Sequence, residues 1–204
     1  MFKKDPCLTM STSPHSPHSI VIALIRASTK ILDVGCNTGF VGKALRKKKV
    51  VADGIDINEK ALKIAARYYQ STFIRDLYLH KLSIPKRTYD YILFIDILEH
   101  LPRPDLLLQD AKKYLAKKGT IIISMPNIAR LEIRLNLLLG KFAYTDAGII
   151  SEDHLRFFTK ESAIQMIGAC GFEVEKTIPT GLGHMLKLFD TLTAFQFIYV
   201  CRLK

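Results

Sequence analysis

The first residues that could do chemistry lie in the stretch ILDVGCNTGF, residues 31–40, where an apolar run ends in Asp33 and a turn follows with Gly35 and Gly39. A dinucleotide turn orders its glycines as G-x-G-x-x-G, so that backbone amides and a helix N-terminus can approach a pyrophosphate. Counted from Gly35, that pattern needs glycine at 37 and 40, where this chain has Asn37 and Phe40. A P-loop needs Gly-Lys-Ser/Thr, and no such tripeptide occurs. The spacing is instead D-x-G-x-x-x-G. A carboxylate at the tip of a strand repels a phosphate and stabilises an ammonium or a sulfonium. Glycine at 35 lets backbone and ligand approach closely, and glycine at 39 lets the following helix pack tightly.

A second carboxylate, Asp56 in GIDIN, ends the next apolar run and can accept hydrogen bonds from two ribose hydroxyls. A ribose acceptor beside a cation-tolerant turn, without phosphate machinery, matches S-adenosylmethionine, which carries a ribose, an ammonium and a sulfonium. Its methyl group is already activated. The protein must align the acceptor, and needs a base only where that acceptor is a poor nucleophile such as a hydroxyl. His100 in DILEHLP and His154 in EDHLRFFT are the candidate bases; packing or loop anchoring is the alternative role for each. Asp96, Glu99 and His100 form D-x-x-E-H. Oxygen and imidazole together could hold Mg or Mn, but Glu99 could equally cap the next helix, and no metal site is assigned.

Alternating strands and helices must position these residues. Strands are expected at 30–34, 50–56, 71–76, 89–96 and 120–126. Helices are expected at 40–49, at 58–69 with Asn58 as N-cap, and at 103–119 with Gly119 as the stop. Unbroken Ile and Val runs fit a parallel sheet covered on both faces, an α/β sandwich with right-handed crossovers. After Pro126 the pattern changes. Residues 127–158 read as an inserted amphipathic helix and loop, a possible lid over the acceptor. Leu131, Leu135, Leu138 and Leu139 read as packing into the core with Arg130, Arg134 and Lys141 flanking; membrane contact is the alternative. A helix over 159–172, capped by Thr159 and closed at Gly171, precedes two last strands expected to lie antiparallel at one sheet edge. Residues 1–17 read as a flexible arm and 18–204 as one domain.

The ordered set ILDVGCNTGF, GIDIN and YDYILFIDILEHLPRP resembles class I S-adenosylmethionine-dependent methyltransferases, closest to the ubiquinone-biosynthesis O-methyltransferase-like group, over about residues 18 to 204. The resemblance implies a Rossmann-like three-layer sandwich with a seven-stranded sheet of order 3-2-1-4-5-7-6, strand 7 antiparallel. It places Asp33, Gly35, Asn37 and Gly39 around the methionine part of the cofactor and Asp56 on the ribose, with Ile57 against the adenine. Asp76 and Leu77 would meet the adenine amino group, and Ile95 and Asp96 would line the cofactor at the fourth strand. Asn37 stands where most members have glycine; ordinary backbone angles there would make it tolerable.

Thirty Lys and Arg against nineteen acids give a net charge of +11, which favours an anionic partner: an acidic metabolite, a nucleic acid or a membrane surface. The four scattered cysteines form no CxxC pair and fit a reducing, cytoplasmic setting. No apolar run reaches the roughly 18 residues a membrane span needs, and residues 20–25 are too short for a signal-peptide core. The Asn/Asp-Pro-Pro-aromatic tetrapeptide of amino-methylating nucleic acid enzymes is missing after the fourth strand, where the chain reads DILE. The expected activity is O-methylation of a small or lipid- or glycan-linked acceptor. The alternatives are an RNA-directed methyltransferase or RNA-binding module, or a non-catalytic partner that keeps only the fold.

Overall fold

The computed structural model describes residues 13–181, 183 and 187–204. Most of the expected N-terminal arm therefore lies outside the described residues. The described chain enters at Ser13, and Ser16 caps helix α1 (Pro17–Leu24). That helix was not expected from the sequence.

Seven strands follow: β1 (Lys30–Val34), β2 (Val51–Asp56), β3 (Ser71–Ile74), β4 (Tyr89–Ile95), β5 (Leu115–Pro126), β6 (Phe172–Pro179) and β7 (Gln196–Leu203). They form one sheet of order β3-β2-β1-β4-β5-β7-β6, parallel except for β7, which runs antiparallel to both its neighbours. This is the expected order, and the reason is visible in the chain. Between β6 and β7 the described chain has only short helical turns and no long crossover helix, so the final strand returns antiparallel beside β6.

Period-two alternation divides the core between the two faces. On one face Leu32, Val34, Ile92, Phe94, Ile121 and Ile123 meet helices α4 (Pro104–Ala111) and α6 (Lys160–Ala169). On the other, Ile31, Leu93 and Ile122 meet α1, α2 (Phe40–Leu45) and α3 (Glu59–Ala65). The caps form as their residue types dictate. The Asn58 side chain accepts the Ala61 amide, and Thr159 and Ser162 make a reciprocal capping box at the start of α6.

Two expectations fail. The helix over 103–119 ends at Ala111 and a single tight turn, Lys112–Tyr114; Leu115 to Gly119 extend β5 instead. Leu115 is buried and pairs with Tyr89, whereas the next registered pair is Tyr91 with Thr120, so Ala116 to Gly119 bulge out of the ladder. Their lysines mimic a solvated helical face.

A backbone bridge closes the segment 127–158 at its base. Asn127 and Phe158 form a parallel bridge, and the Ile128 amide donates to the Phe158 carbonyl. Its helix α5 (Leu131–Leu138) does not bury the predicted leucines. Ile133 is the buried residue, while Leu138 and Leu139 are 81% and 68% exposed and Leu131 and Leu135 stand about half in solvent. Leucines at helical spacing mark an apolar stripe; they do not say what covers it.

Candidate active site

The carboxyl ends of β1, β2 and β4 meet at one edge, and the turn after β1 is tied there by its backbone. The amides of Gly35 and Cys36 both donate to the Ile55 carbonyl, at 2.8 and 2.9 Å. Gly35 sits at φ +79°, and a Cβ on it would lie 3.0 Å from Ile97 Cδ1, so only glycine keeps the turn against Ile97. Asn37 has φ +45°, not the ordinary angle expected for a glycine replacement. Asparagine enters this left-handed region more readily than most residues, and the Asn37 backbone amide donates to Asp56 Oδ2 at 2.7 Å. Asp56 Oδ1 takes the Asn58 amide at 2.8 Å.

Asp33 is 3% exposed and accepts a hydrogen bond from the Tyr69 hydroxyl. Burial, opposed by that bond and reinforced by the nearby Asp56 charge, raises its carboxyl to about 6. Asp96 follows β4 in the left-handed region, at φ +52°. Its Oδ1 accepts from the Ser124 hydroxyl and from Gln196 Nε2, which anchors it to β5 and β7.

A two-lobed cleft opens over these tips. The lobe of about 290 Å³ is bordered by Asp33, Gly35, Asn37, Asp56, Ile95 and Asp96. The lobe of about 200 Å³ is bordered by Ile57, Asp76 and Leu77. Gly35, Asp56, Ile97 and His100 border both. Asp76 takes the Tyr78 amide with one oxygen, at 2.9 Å, as the cap of a short turn. The Asn37 side-chain oxygen is buried with no hydrogen-bond partner among the described residues, and Asn37 borders the first lobe. Gly39 borders neither lobe. It lies behind the turn, where a Cβ would meet the Tyr69 ring at 2.9 Å and the Ala65 backbone at 3.0 Å. Its work is to let α2 close on α3.

At the cleft rim the chain returns from the insertion. The amides of Leu155 and Arg156 both donate to the Glu99 carbonyl, at 2.9 and 3.0 Å, and the Arg156 guanidinium donates to the Pro102 carbonyl. These bonds bring His154 to His100, ring centroids 4.8 Å apart and edge to face. His100 Nδ1 lies 3.0 Å from the Asp153 carbonyl and His154 Nδ1 lies 3.0 Å from the Ile149 carbonyl. A carbonyl only accepts, so each Nδ1 donates, and in a neutral ring the lone pair is then on Nε2. Burial lowers the pKa of His154, which favours the neutral ring.

Glu99 is 1% exposed, and both its carboxylate oxygens lack a hydrogen-bond partner among the described residues. Burial, with the Asp96 charge added, pushes its pKa well above the ordinary value. One donor atom each from Glu99, His100 and His154 lies within 4.8 Å of the others. The pattern Asp96–Glu99–His100 therefore does not close as a set. Asp96 turns to Ser124 and Gln196, and His154 takes the third place.

Sequence reasoning missed His18, Ile97 and Tyr69. His18, on the unexpected α1, borders the first lobe and meets Phe40 edge to face. Nothing in its local sequence marks it. Glu99 and His154 were each visible as residue types, but 55 positions separate them and only the fold joins them.

A seven-stranded sheet of this order, with acidic strand tips around a nucleoside-sized cleft, defines the class I S-adenosylmethionine-dependent methyltransferase fold. Residues 16–177 match the family described as a methyltransferase domain, and the chain belongs to that family. The ubiquinone biosynthesis O-methyltransferase of Haemophilus ducreyi is 30% identical over 107 residues, 48% of this chain and 45% of that protein. The chain thus matches under half the length of that relative. The protein of the same name from an Azoarcus species is 25% identical over 160 residues, 71% of this chain and 68% of its own. Among solved structures, a methyltransferase from Archaeoglobus fulgidus superposes with a TM-score of 0.66 at 18% identity, over 93% of this chain and 95% of that one. The magnesium protoporphyrin IX methyltransferase of Synechocystis, solved with bound S-adenosylhomocysteine, has a TM-score of 0.66 at 16% identity, over 92% of this chain and 82% of that one. Identities this low establish the fold alone. No helix among the described residues is long and apolar enough to cross a membrane.

Proposed function

We propose that this domain transfers the methyl group of S-adenosylmethionine to an oxygen of an acceptor with an apolar body, bound between the cofactor cleft and the insertion. The observation that carries this reading is the two-lobed cleft, in which Asp33, Asp56 and Asp76 border the space and Arg75, which also borders the second lobe, donates to the Ser83 and Ile74 carbonyls instead of to these carboxylates. Asp56 would take the ribose hydroxyls, Asp33 and the orphaned Asn37 oxygen the ammonium, and Asp76 the adenine amino group. Leu77 and Ile57 would flank the base. Ile95 and Asp96 would line the sulfonium end.

The O-methyl assignment draws on the names of the sequence relatives and on the histidine pair. A neutral imidazole with a free Nε2 can accept the proton of an attacking hydroxyl. We assign that role to His154 or His100. A divalent cation on Glu99 and the two histidines is the alternative arrangement: it would satisfy the two orphaned Glu99 oxygens but take the Nε2 lone pairs, making the histidines ligands rather than bases. When bound, such a cation would favour the deprotonated form of a nearby hydroxyl. The protein's own contribution is to hold acceptor and sulfonium in line and to exclude water.

A cavity of about 590 Å³ lies beside His154, bordered by Ile133, Phe142, Ile149 and Phe195 from the insertion and its base. With the exposed leucines of α5 it supports an acceptor carrying a lipid or other apolar group. On this reading residues 127–158 act as the acceptor lid. The test is transfer of a labelled methyl group to a panel of alcohols with and without an alkyl tail. Tailed acceptors should be methylated faster, and His154→Ala should lower turnover by about a hundredfold with cofactor affinity unchanged. Transfer only to nitrogen acceptors, or full turnover in both His100→Ala and His154→Ala, would refute the oxygen assignment.

A further inference from the structure

Tyr69 lies just past α3, outside the cleft, and no part of the methyl-transfer reading above uses it. Its ring fills a slot between three glycines on two segments, α2 with its cap and β2. A Cβ on Gly39 would fall 2.9 Å from Tyr69 Cε2, one on Gly42 2.7 Å from Cζ, and one on Gly54 3.4 Å from Cδ1. A slot of this shape requires an aromatic ring. It does not require a hydroxyl, since phenylalanine would fill the same space.

The hydroxyl has its own arrangement. The Gly42 amide donates into its oxygen at 3.1 Å, which leaves its proton for one acceptor, Asp33 Oδ2. Burial raises the phenol's pKa well above its ordinary value, so the proton stays on the tyrosine. Asp33 in turn borders the cleft. The path runs from the first turn of α2, through a neutral phenol, to the carboxylate that faces the ligand.

We infer that Tyr69 is a positioning residue for the donor's amino group: its hydroxyl holds the Asp33 carboxylate in the orientation and the ionised state that receive the ammonium. This rests on the cofactor reading of the cleft. The other ionisable groups facing Asp33 are the Asp56 carboxylate and the Cys36 thiol, with His18, Asp96 and His100 across the same space. Of these, Asp56 opposes ionisation of Asp33, so a neutral donor is needed to offset it without adding a competing cation.

The consequence is a pH dependence that belongs to one part of the ligand. A carboxyl near 6 is ionised at neutral pH and protonated below, and the ammonium binds the ionised form. The affinity for S-adenosylmethionine should be level above that value and fall about tenfold per pH unit below it. Losing the phenol's hydrogen bond removes stabilisation of the charged form, so in Tyr69→Phe the bend should move up by about one pH unit.

The experiment is calorimetric titration of wild type, Tyr69→Phe and Asp33→Asn between about pH 5 and pH 8, with two ligands. One is S-adenosylmethionine. The other is 5′-methylthioadenosine, which keeps the nucleoside and lacks the amino-acid part. For the first ligand, Tyr69→Phe should bind about five- to tenfold more weakly than wild type near pH 6 and converge with it near pH 8. Asp33→Asn should show no bend. For the second ligand all three proteins should agree at every pH. Equal weakening at all pH values, or weakening of both ligands alike, would make Tyr69 a merely structural residue and overturn the inference. So would superimposable profiles, or a wild type without a bend should Tyr69→Phe not fold. If wild type binds no S-adenosylmethionine at all, the cofactor reading fails with it.

Discussion

Two buried aspartates sit one register step apart on neighbouring strands, and their surroundings differ in one respect. Asp53 on β2 is 2% exposed and pairs with the Arg87 guanidinium at 2.6 Å and the Tyr89 hydroxyl at 2.8 Å. Asp33 on β1 is 3% exposed and meets a neutral phenol, with no cationic side chain paired to it among the described residues. Leu32 faces Asp53 across the ladder and Asp33 faces Gly54. A buried carboxylate without a cation is costly, and its carboxyl rises to about 6 as a result. The chain gives one aspartate a cation, through Oδ2 with Oδ1 left without a partner, and gives the other, beside the cleft, only a neutral donor. The difference sets an aspartate that ties the sheet against one that, on the proposed reading, receives a ligand, and four substitutions sharpen it.

Asp56→Ala should have the largest effect. It removes both oxygens available to a ribose and should weaken S-adenosylmethionine by about a hundredfold or more by calorimetry. Retained affinity would move the ribose elsewhere.

Asp33→Asn should weaken S-adenosylmethionine by about tenfold at neutral pH while stabilising the protein without ligand. The sign follows from the raised carboxyl. Ionisation of Asp33 costs stability above about pH 6, and the cost is relieved as pH falls through 6 toward the ordinary value of 3.8. The window of about two units corresponds to an upper limit of about 3 kcal/mol. Thermal unfolding should therefore show Asp33→Asn above wild type at pH near 7.5 and level with it near pH 4. A variant less stable than wild type at neutral pH would mean that Asp33 is structural after all.

Asp53→Ala should do the reverse. It strands the Arg87 and Tyr89 partners and should lower Tm by roughly 4–8 °C, for about 2 kcal/mol, with cofactor affinity unchanged. Arg87→Leu, which leaves Asp53 buried and unpaired, should also lower Tm and spare binding. A loss of affinity in either variant would break the contrast.

This contrast also marks what the sequence could tell. Asp33, Gly35, Asp56 and Asp76 were legible because each stands at a strand tip, within a few residues of the turn that displays it. The strand order was expected from family likeness, and the antiparallel edge from the short connections before the last strand. Asn37 was legible as a departure but not as a left-handed residue, which depends on the Asp56 oxygen waiting for its amide. Tyr69, His18 and the closure of Glu99 with His154 depend on elements distant in sequence, and no local pattern carries them. The false helical extension through Gly119 and the exposed leucines of α5 share one cause: periodicity reports amphipathy, and only packing partners decide what it becomes.

The most direct test of the acidic, cation-accepting cleft is a pair of calorimetric titrations of the same protein, one with S-adenosylmethionine and one with ADP-ribose. Both offer an adenosine, but one brings an ammonium and a sulfonium where the other brings a pyrophosphate. Saturable binding of S-adenosylmethionine, with no heat from ADP-ribose at millimolar concentration, is the predicted result. Binding of ADP-ribose as tight as or tighter than S-adenosylmethionine would contradict it.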